Sequence, residues 1–167
     1  MKKSLKYFFF FFVFMLMAIL IVGLVMGSIN IKQTVISSYS VEETIEILED
    51  PRSLRQWVTH IAKLESTDKP NEYNVYLKTG KQQLATMKLK YQTDTLGKSV
   101  TYEMVNKGSK LTSTFYVIAG DTTKVEIEYQ VKGRGVSNKV VLAMLKKSLE
   151  SQYESEIDRI QLALKKE

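Results

Sequence analysis

The sequence contains no cysteine. That absence excludes disulfides, thiolate nucleophiles, zinc–thiolate sites and lipid attachment through a lipobox. Histidine occurs once, as His60, so a Ser-His-Asp triad or a multi-histidine metal site would have to be assembled on that residue alone. At the start of a strand segment, His60 reads as structural or exposed. Acidic residues are missing from the first 27 positions, and a concentrated basic block is missing from the rest. Lys2, Lys3 and Lys6 supply three of the six net positive charges, which leaves 21 basic against 18 acidic residues over 28–167. A mild excess spread along the chain does not make the basic footprint that nucleic acid requires, so no nucleic-acid partner is expected.

What the chain does have is "YFFFFFVFMLMAILIVGLVMG", 21 uncharged residues from Tyr7 to Gly27. At ~1.5 Å per residue a helix of that length covers roughly 30 Å, the thickness of the hydrocarbon core of a bilayer. A secretory signal has a shorter apolar core, about 7–15 residues, and a small-x-small exit; the exit here is Leu24-Val25-Met26-Gly27-Ser28. The reading favours a retained transmembrane helix, with cleavage near Gly27 or Ser28 as the alternative. Three lysines precede the run and Lys32 alone follows closely. Basic flanks stay in the cytoplasm, so the expectation is a single-pass membrane protein with a cytoplasmic N-terminus and an extracytoplasmic domain. The chain thus divides into a basic flank (1–6), a transmembrane anchor (7–27) and one domain (28–167), long enough for a single core.

Within the domain, "INIKQTVISSYS" is a β-branched first strand. Ser40 and Glu43 then stand three apart in "SVEETIEILED", the spacing of a capping box. Val41, Ile45 and Leu48 recur at helical spacing, so a helix is expected over Val41–Glu49 and should end at Asp50-Pro51, because the residue before proline avoids the helical region. "PRSLRQWV" gives a second helical turn with Leu54 and Trp57 on one side. From "HIAKLEST" onward the period becomes two. "EYNVYLKTGKQQLATMKLKYQT" is a hairpin about Thr79-Gly80, whose second half sets Ala85, Met87, Leu89 and Tyr91 against Thr86, Lys88, Lys90 and Gln92. Val100, Tyr102 and Met104 form the inner face of the next strand. Leu111, Ser113, Phe115 and Val117 form that of the one after it, and Val125, Ile127, Tyr129 and Val131 that of the last. After the joint "GRGVSN", with Ser137 or Asn138 as the expected cap, one helix should run from Lys139 to the end. Its stripe is Val141 or Leu142, Leu145, Leu149, Tyr153, Ile157, Ile160 and Leu164.

A one-sided sheet must cover its apolar face, and the last helix is the long amphipathic element able to do so. The expected fold is α+β: a curved antiparallel sheet of about seven strands wrapped around a long C-terminal helix, preceded by the N-terminal transmembrane helix. This order resembles the START-like helix-grip superfamily (SRPBCC), with its polyketide cyclase/dehydrase and lipid-transport group. The resemblance rests on "SSYSVEETIEILEDPRSLRQW" with Asp50-Pro51 and Trp57, on "GDTTKVEIEYQVKGRG", and on the closing "SNKVVLAMLKKSLESQYESEIDRIQLALKK". It covers roughly residues 30–167; the N-terminal span is an addition that many soluble members lack.

The resemblance implies a cavity between sheet and C-terminal helix that takes a lipid or other apolar small molecule. The candidate lining is Tyr76, Met87, Tyr91, Tyr102, Met104, Phe115 and Tyr129 from the sheet and Met144 and Leu145 from the helix. Trp57 either closes the mouth or staples the short helices to the sheet. Phenolic hydroxyls in an apolar lining can orient a polar head group. Catalysis needs placed acids, bases or nucleophiles; the sequence offers no inward carboxylate pair, and Ser113 has no base to pair with. No catalytic residue, metal site or cofactor is therefore expected. Two readings stand: a membrane-anchored module holding a hydrophobic ligand, or a non-enzymatic envelope protein-interaction module with a filled core and an unidentified protein partner.

Overall fold

The computed structural model describes residues 2–79, 83–94 and 98–166, with side chains at 7–21, 23, 27–78, 92–94 and 98–166. Gly80, the expected hairpin turn, and the side chains of Ala85, Met87, Leu89 and Tyr91 lie outside the described residues. An N-terminal helix α1 (Lys2–Met26) leads directly into strand β1 (Ser28–Ser37), followed by helices α2 (Val41–Glu49) and α3 (Leu54–Trp57). Strands β2 (Ile61–Ser66), β3 (Glu72–Thr79), β4 (Gln83–Asp94), β5 (Ser99–Val105), β6 (Ser109–Ile118) and β7 (Thr123–Gly133) precede the closing helix α4 (Val136–Ala163). The strands form one seven-stranded sheet in the order β1-β7-β6-β5-β4-β3-β2, antiparallel at every step. β1 is joined to the sheet by β7, with Ser28 opposite Lys132 and Ser37 opposite Thr123. This is the helix-grip arrangement.

Local chemistry accounts for the joints. At the start of α2 the Ser40 side chain accepts from the Glu43 backbone N–H at 3.2 Å, while the Glu43 carboxylate accepts from the Ser40 N–H at 2.9 Å, which completes the expected capping box. A buried bond between the Ser37 and Thr44 hydroxyls (2.8 Å) fastens α2 to the end of β1. The Tyr102 hydroxyl donates to the Leu48 carbonyl, tying the other end of α2 to the sheet. α4 departs from expectation at its cap. It begins at Gly135 (φ 80°), with no side-chain cap bond from Ser137 or Asn138. A positive φ there is available to glycine without strain, and Asn138 instead donates from Nδ2 to the Arg134 carbonyl at 2.7 Å.

Alternation holds through β5, β6 and β7: Val100, Tyr102, Met104, Leu111, Phe115, Val117, Val125, Ile127, Tyr129 and Val131 are buried on one face. Phe115 is a hub, with ring centroids 6.0 Å from Trp57, 6.1 Å from Tyr102 and 6.4 Å from Tyr129; Tyr129 stacks on Tyr153 of α4 at 4.9 Å. α4 covers this face unevenly. Tyr153, Ile157, Ile160 and Leu164 near its C-terminus are buried, and the Leu164 carbonyl accepts from the Ser38 N–H at 2.8 Å. Toward its N-terminus Leu142 is buried, whereas Val141 and Leu145 are exposed.

α1 meets the domain at the N-terminal end of α4. Gly23 and Gly27 are buried, and a Cβ on either would collide with Val140 or Lys139; their lack of side chains sets the approach of the two helices. The Gly27 carbonyl also accepts from the Gly133 N–H at 3.2 Å. Along α1 the side chains of 7–21 are exposed. Among the described residues no helix is long and apolar enough to cross a membrane.

If the two ends of α4 pack as differently as their exposure implies, matched truncations will separate them. Ile160→Ala should cost about 2–5 kcal/mol and Leu145→Ala less than about 1 kcal/mol, read from urea denaturation of the full-length chain by Trp57 fluorescence.

Candidate functional site

Where α4 stands off the sheet, a cavity of about 830 Å³ remains. Its walls come from α3 and the segment after it (Leu54, Trp57, Val58, His60), the inner faces of β5 to β7 (Met104, Leu111, Ser113, Phe115, Tyr129, Val131) and α4 (Leu142, Leu145, Leu149, Tyr153). Its lining also includes the β5–β6 turn, Asn106 to Ser109, and Asn138 and Val141 from the first turns of α4. Size and lining suit a small apolar molecule with few polar contacts.

Of the expected lining residues, Trp57, Met104, Phe115, Tyr129 and Leu145 border this cavity. The others do not come together there. Tyr102 is buried beside Phe115 with its hydroxyl committed to α2. Tyr76 was expected to face inward and instead faces out, donating to a Glu65 carboxylate oxygen at 2.7 Å. The inward parity of β3 belongs to Val75, which is fully buried, and to Leu77, which lines the cavity. Met144 was expected to look down from the helix and is 81% exposed; two positions beyond buried Leu142 it lies about 200° around the axis. The Met87 and Tyr91 side chains lie outside the described residues. Trp57 packs α3 against Phe115 of the sheet, the stapling arrangement, and at 1% exposure it forms part of the buried wall.

The sequence reading missed Glu156. This carboxyl lines the cavity at 3% exposure, on α4 one turn beyond Tyr153. Burial pushes its pKa up to about 7, against the opposing pull of a hydrogen bond from Gln152 Nε2 (3.1 Å) and the charge of Arg159. Tyr129 and Tyr153 are both raised well above the ordinary phenol value, first by burial and then by the nearby Glu156 charge, so both stay protonated donors. A signal existed in the sequence: position 156 falls three after Tyr153 and four before Ile160, inside the apolar stripe. A second polar feature is the Trp57 indole, whose buried Nε1 finds no hydrogen-bond partner among the described residues. Among the described residues no group of three or more acidic or histidine side chains converges to hold a metal ion.

The sequence from 28 to 165 matches the family described as polyketide cyclase/dehydrase and lipid transport. The chain belongs to that family. Comparison with curated proteins gives no match. Among solved structures, this family member resembles the Zhui aromatase/cyclase from Streptomyces sp. R1128 (TM-score 0.62, 12% identity, 82% of this chain and 91% of that one). It also resembles a conserved protein from Geobacillus kaustophilus (TM-score 0.61, 15% identity, 82% and 94%). The di-domain ARO/CYC StfQ from the steffimycin biosynthetic pathway aligns with a TM-score of 0.60 at 10% identity over 82% of this chain, which spans half of StfQ's length. Likeness at these identities establishes the shared helix-grip fold.

The buried carboxyl carries a pH signature. Its folded pKa of about 7 lies above the ordinary 4.5, so the folded state holds a proton that the unfolded state releases. The contribution of this group to stability should be greatest below about pH 4.5, fall as pH rises to about 7, and change no further above it, by at most roughly 3 kcal/mol. Glu156→Gln should remove that fall, seen as urea midpoints that draw closer to wild type at pH 5 and exceed it at pH 8.

Proposed function

We propose that this protein is a membrane-anchored binding module that holds a lipid or other hydrophobic small molecule between its sheet and α4. The observation that carries the reading is the apolar cavity of about 830 Å³ between the sheet and α4. A filled core was the premise of the interaction-module alternative, and the cavity favours ligand binding over it.

The anchor is part of the proposal. Its support is the uncharged run Tyr7–Gly27 and the helix Lys2–Met26 around it, roughly 37 Å at 1.5 Å per residue. With the N-terminus cytoplasmic, the domain lies outside. One residue separates α1 from β1, and Gly27 bonds to Gly133, a residue of the cavity lining, so a spanning α1 would hold this end of the domain at the bilayer surface. Lys107 lines the cavity, and Arg134 and Lys139 flank the start of α4. Basic residues there would attract anionic headgroups, and Val141 and Met144 are exposed on the same helix. Tethering raises the effective concentration of a membrane-dissolved ligand near the domain.

Organic extracts of the full-length chain from its native membrane, analysed by mass spectrometry beside an anchor-only control, should contain one defined apolar species in near-stoichiometric amount. Recovery of bulk membrane lipid alone would defeat the binding reading. In the same membranes, alkaline carbonate should leave the full-length chain in the pellet; release into the supernatant would defeat the anchor.

A further inference from the structure

Glu156 is the one carboxyl among the described residues of the cavity lining, and it has no counter-ion. It is 3% exposed. Its Oε1 accepts from Gln152 Nε2 at 3.1 Å, and among the described residues no other side-chain hydrogen bond and no ion pair reaches the carboxyl. Arg159, one turn further along α4, is turned elsewhere, with Nη1 donating to the Trp57 carbonyl at 3.5 Å. The second oxygen, Oε2, is open. Among the described residues only the Trp57 indole nitrogen is both unpartnered and sealed off, so Oε2, unpartnered, keeps accessible surface. The hydroxyls of Tyr129 and Tyr153 are in the same position, unpartnered and not sealed. The two rings stack at 4.9 Å, and both lie close enough to Glu156 for its charge to raise their pKa values.

An enclosed carboxylate without a partner is costly, and either a proton or an opposite charge relieves it. A ligand chooses between these through its head. A carboxylate head brings a like charge to Glu156. A hydroxyl can donate one hydrogen bond to Oε2 and leaves the charge uncompensated. An ammonium head does both, donating to Oε2 and neutralising the charge. The basic side chains of the lining, His60, Lys78 and Lys107, are all exposed, where water and salt screen them; the enclosed charge is the acidic one. We propose that Glu156 is the head-group site of this cavity and that the ligand is an apolar amine, its ammonium paired with the carboxylate. The inference rests on the ligand-binding reading above and specifies the ligand class for the same cavity.

Three probes that share a ring system and differ at the head test this: 2-(1-naphthyl)ethylamine, 2-(1-naphthyl)ethanol and 1-naphthylacetate. Each would be titrated calorimetrically into the full-length chain in a non-ionic amphipol at pH 8, where Glu156 is ionised, with empty amphipol as the blank. The amine should bind at least about tenfold tighter than the alcohol, the effect of one hydrogen bond to a charged group, and the acid should bind weakest. Glu156→Gln keeps the shape and removes the charge; it should bring the amine to the affinity of the alcohol while alcohol binding persists. Glu154→Gln removes the same charge from an exposed position on the same helix and should leave the preference intact. Equal affinity for amine and alcohol, tightest binding of the acid, or an amine preference that survives Glu156→Gln overturns the head-group site and leaves the apolar-ligand reading standing. Binding of none of the three overturns both.

Discussion

The attachment of α4 through its C-terminal half is the constraint from which the rest follows. Ile157, Ile160 and Leu164 are fully buried against the sheet, each contributing roughly 1.5–3 kcal/mol of apolar burial. The Tyr129–Tyr153 stack marks where that close packing ends. Beyond it the sheet still presents Met104, Leu111 and Phe115, but the helix no longer reaches them closely enough to fill the space. Had the stripe continued in register with large buried side chains, the same fold would have a solid core. The cavity is therefore a property of one helix's uneven packing, and the aromatic hub at Phe115 is its floor.

Much of this was legible in the sequence because the signals were local. Strict alternation in β5 to β7 identified the buried face residue by residue, and Ser40 with Glu43 announced the start of α2. The failures were of another kind. Tyr76 and its neighbour Val75 compete for the inward face of β3, and the parity of that strand is decided by its partners, not by its own composition. The start of α4 is set by the Gly135 backbone, which competes with any side-chain cap. Met144 was drawn into the lining by its chemistry although its position on the helix excluded it.

Glu156 is the instructive omission. A charged residue in a helix rich in lysine and glutamate reads as solvated, and its place in the apolar stripe is outweighed by its type. Burial reverses the inference. A carboxyl whose titration has moved to neutral pH, enclosed near two protonated phenols, is the polar centre of an otherwise apolar chamber. The family's fold supplies the chamber; Glu156, Tyr129 and Tyr153 give this member its chemical character.

The pairing of β1 with β7 bears on how the molecule comes to be folded. Ser28 and Lys132 face each other across the sheet although about a hundred residues separate them in the chain. The strand that emerges first, beside the apolar helix, must wait for the strand made last. Until then its backbone donors and acceptors have no sheet to join, and loop closure over that length is slow. An edge left open in this way is a template for pairing with other chains. Lys32, the one charge on β1, lies opposite Glu128 and is ion-paired to Glu126, so it does more than decorate a solvent face: it favours pairing with β7, and a lysine on an edge strand opposes pairing with another chain.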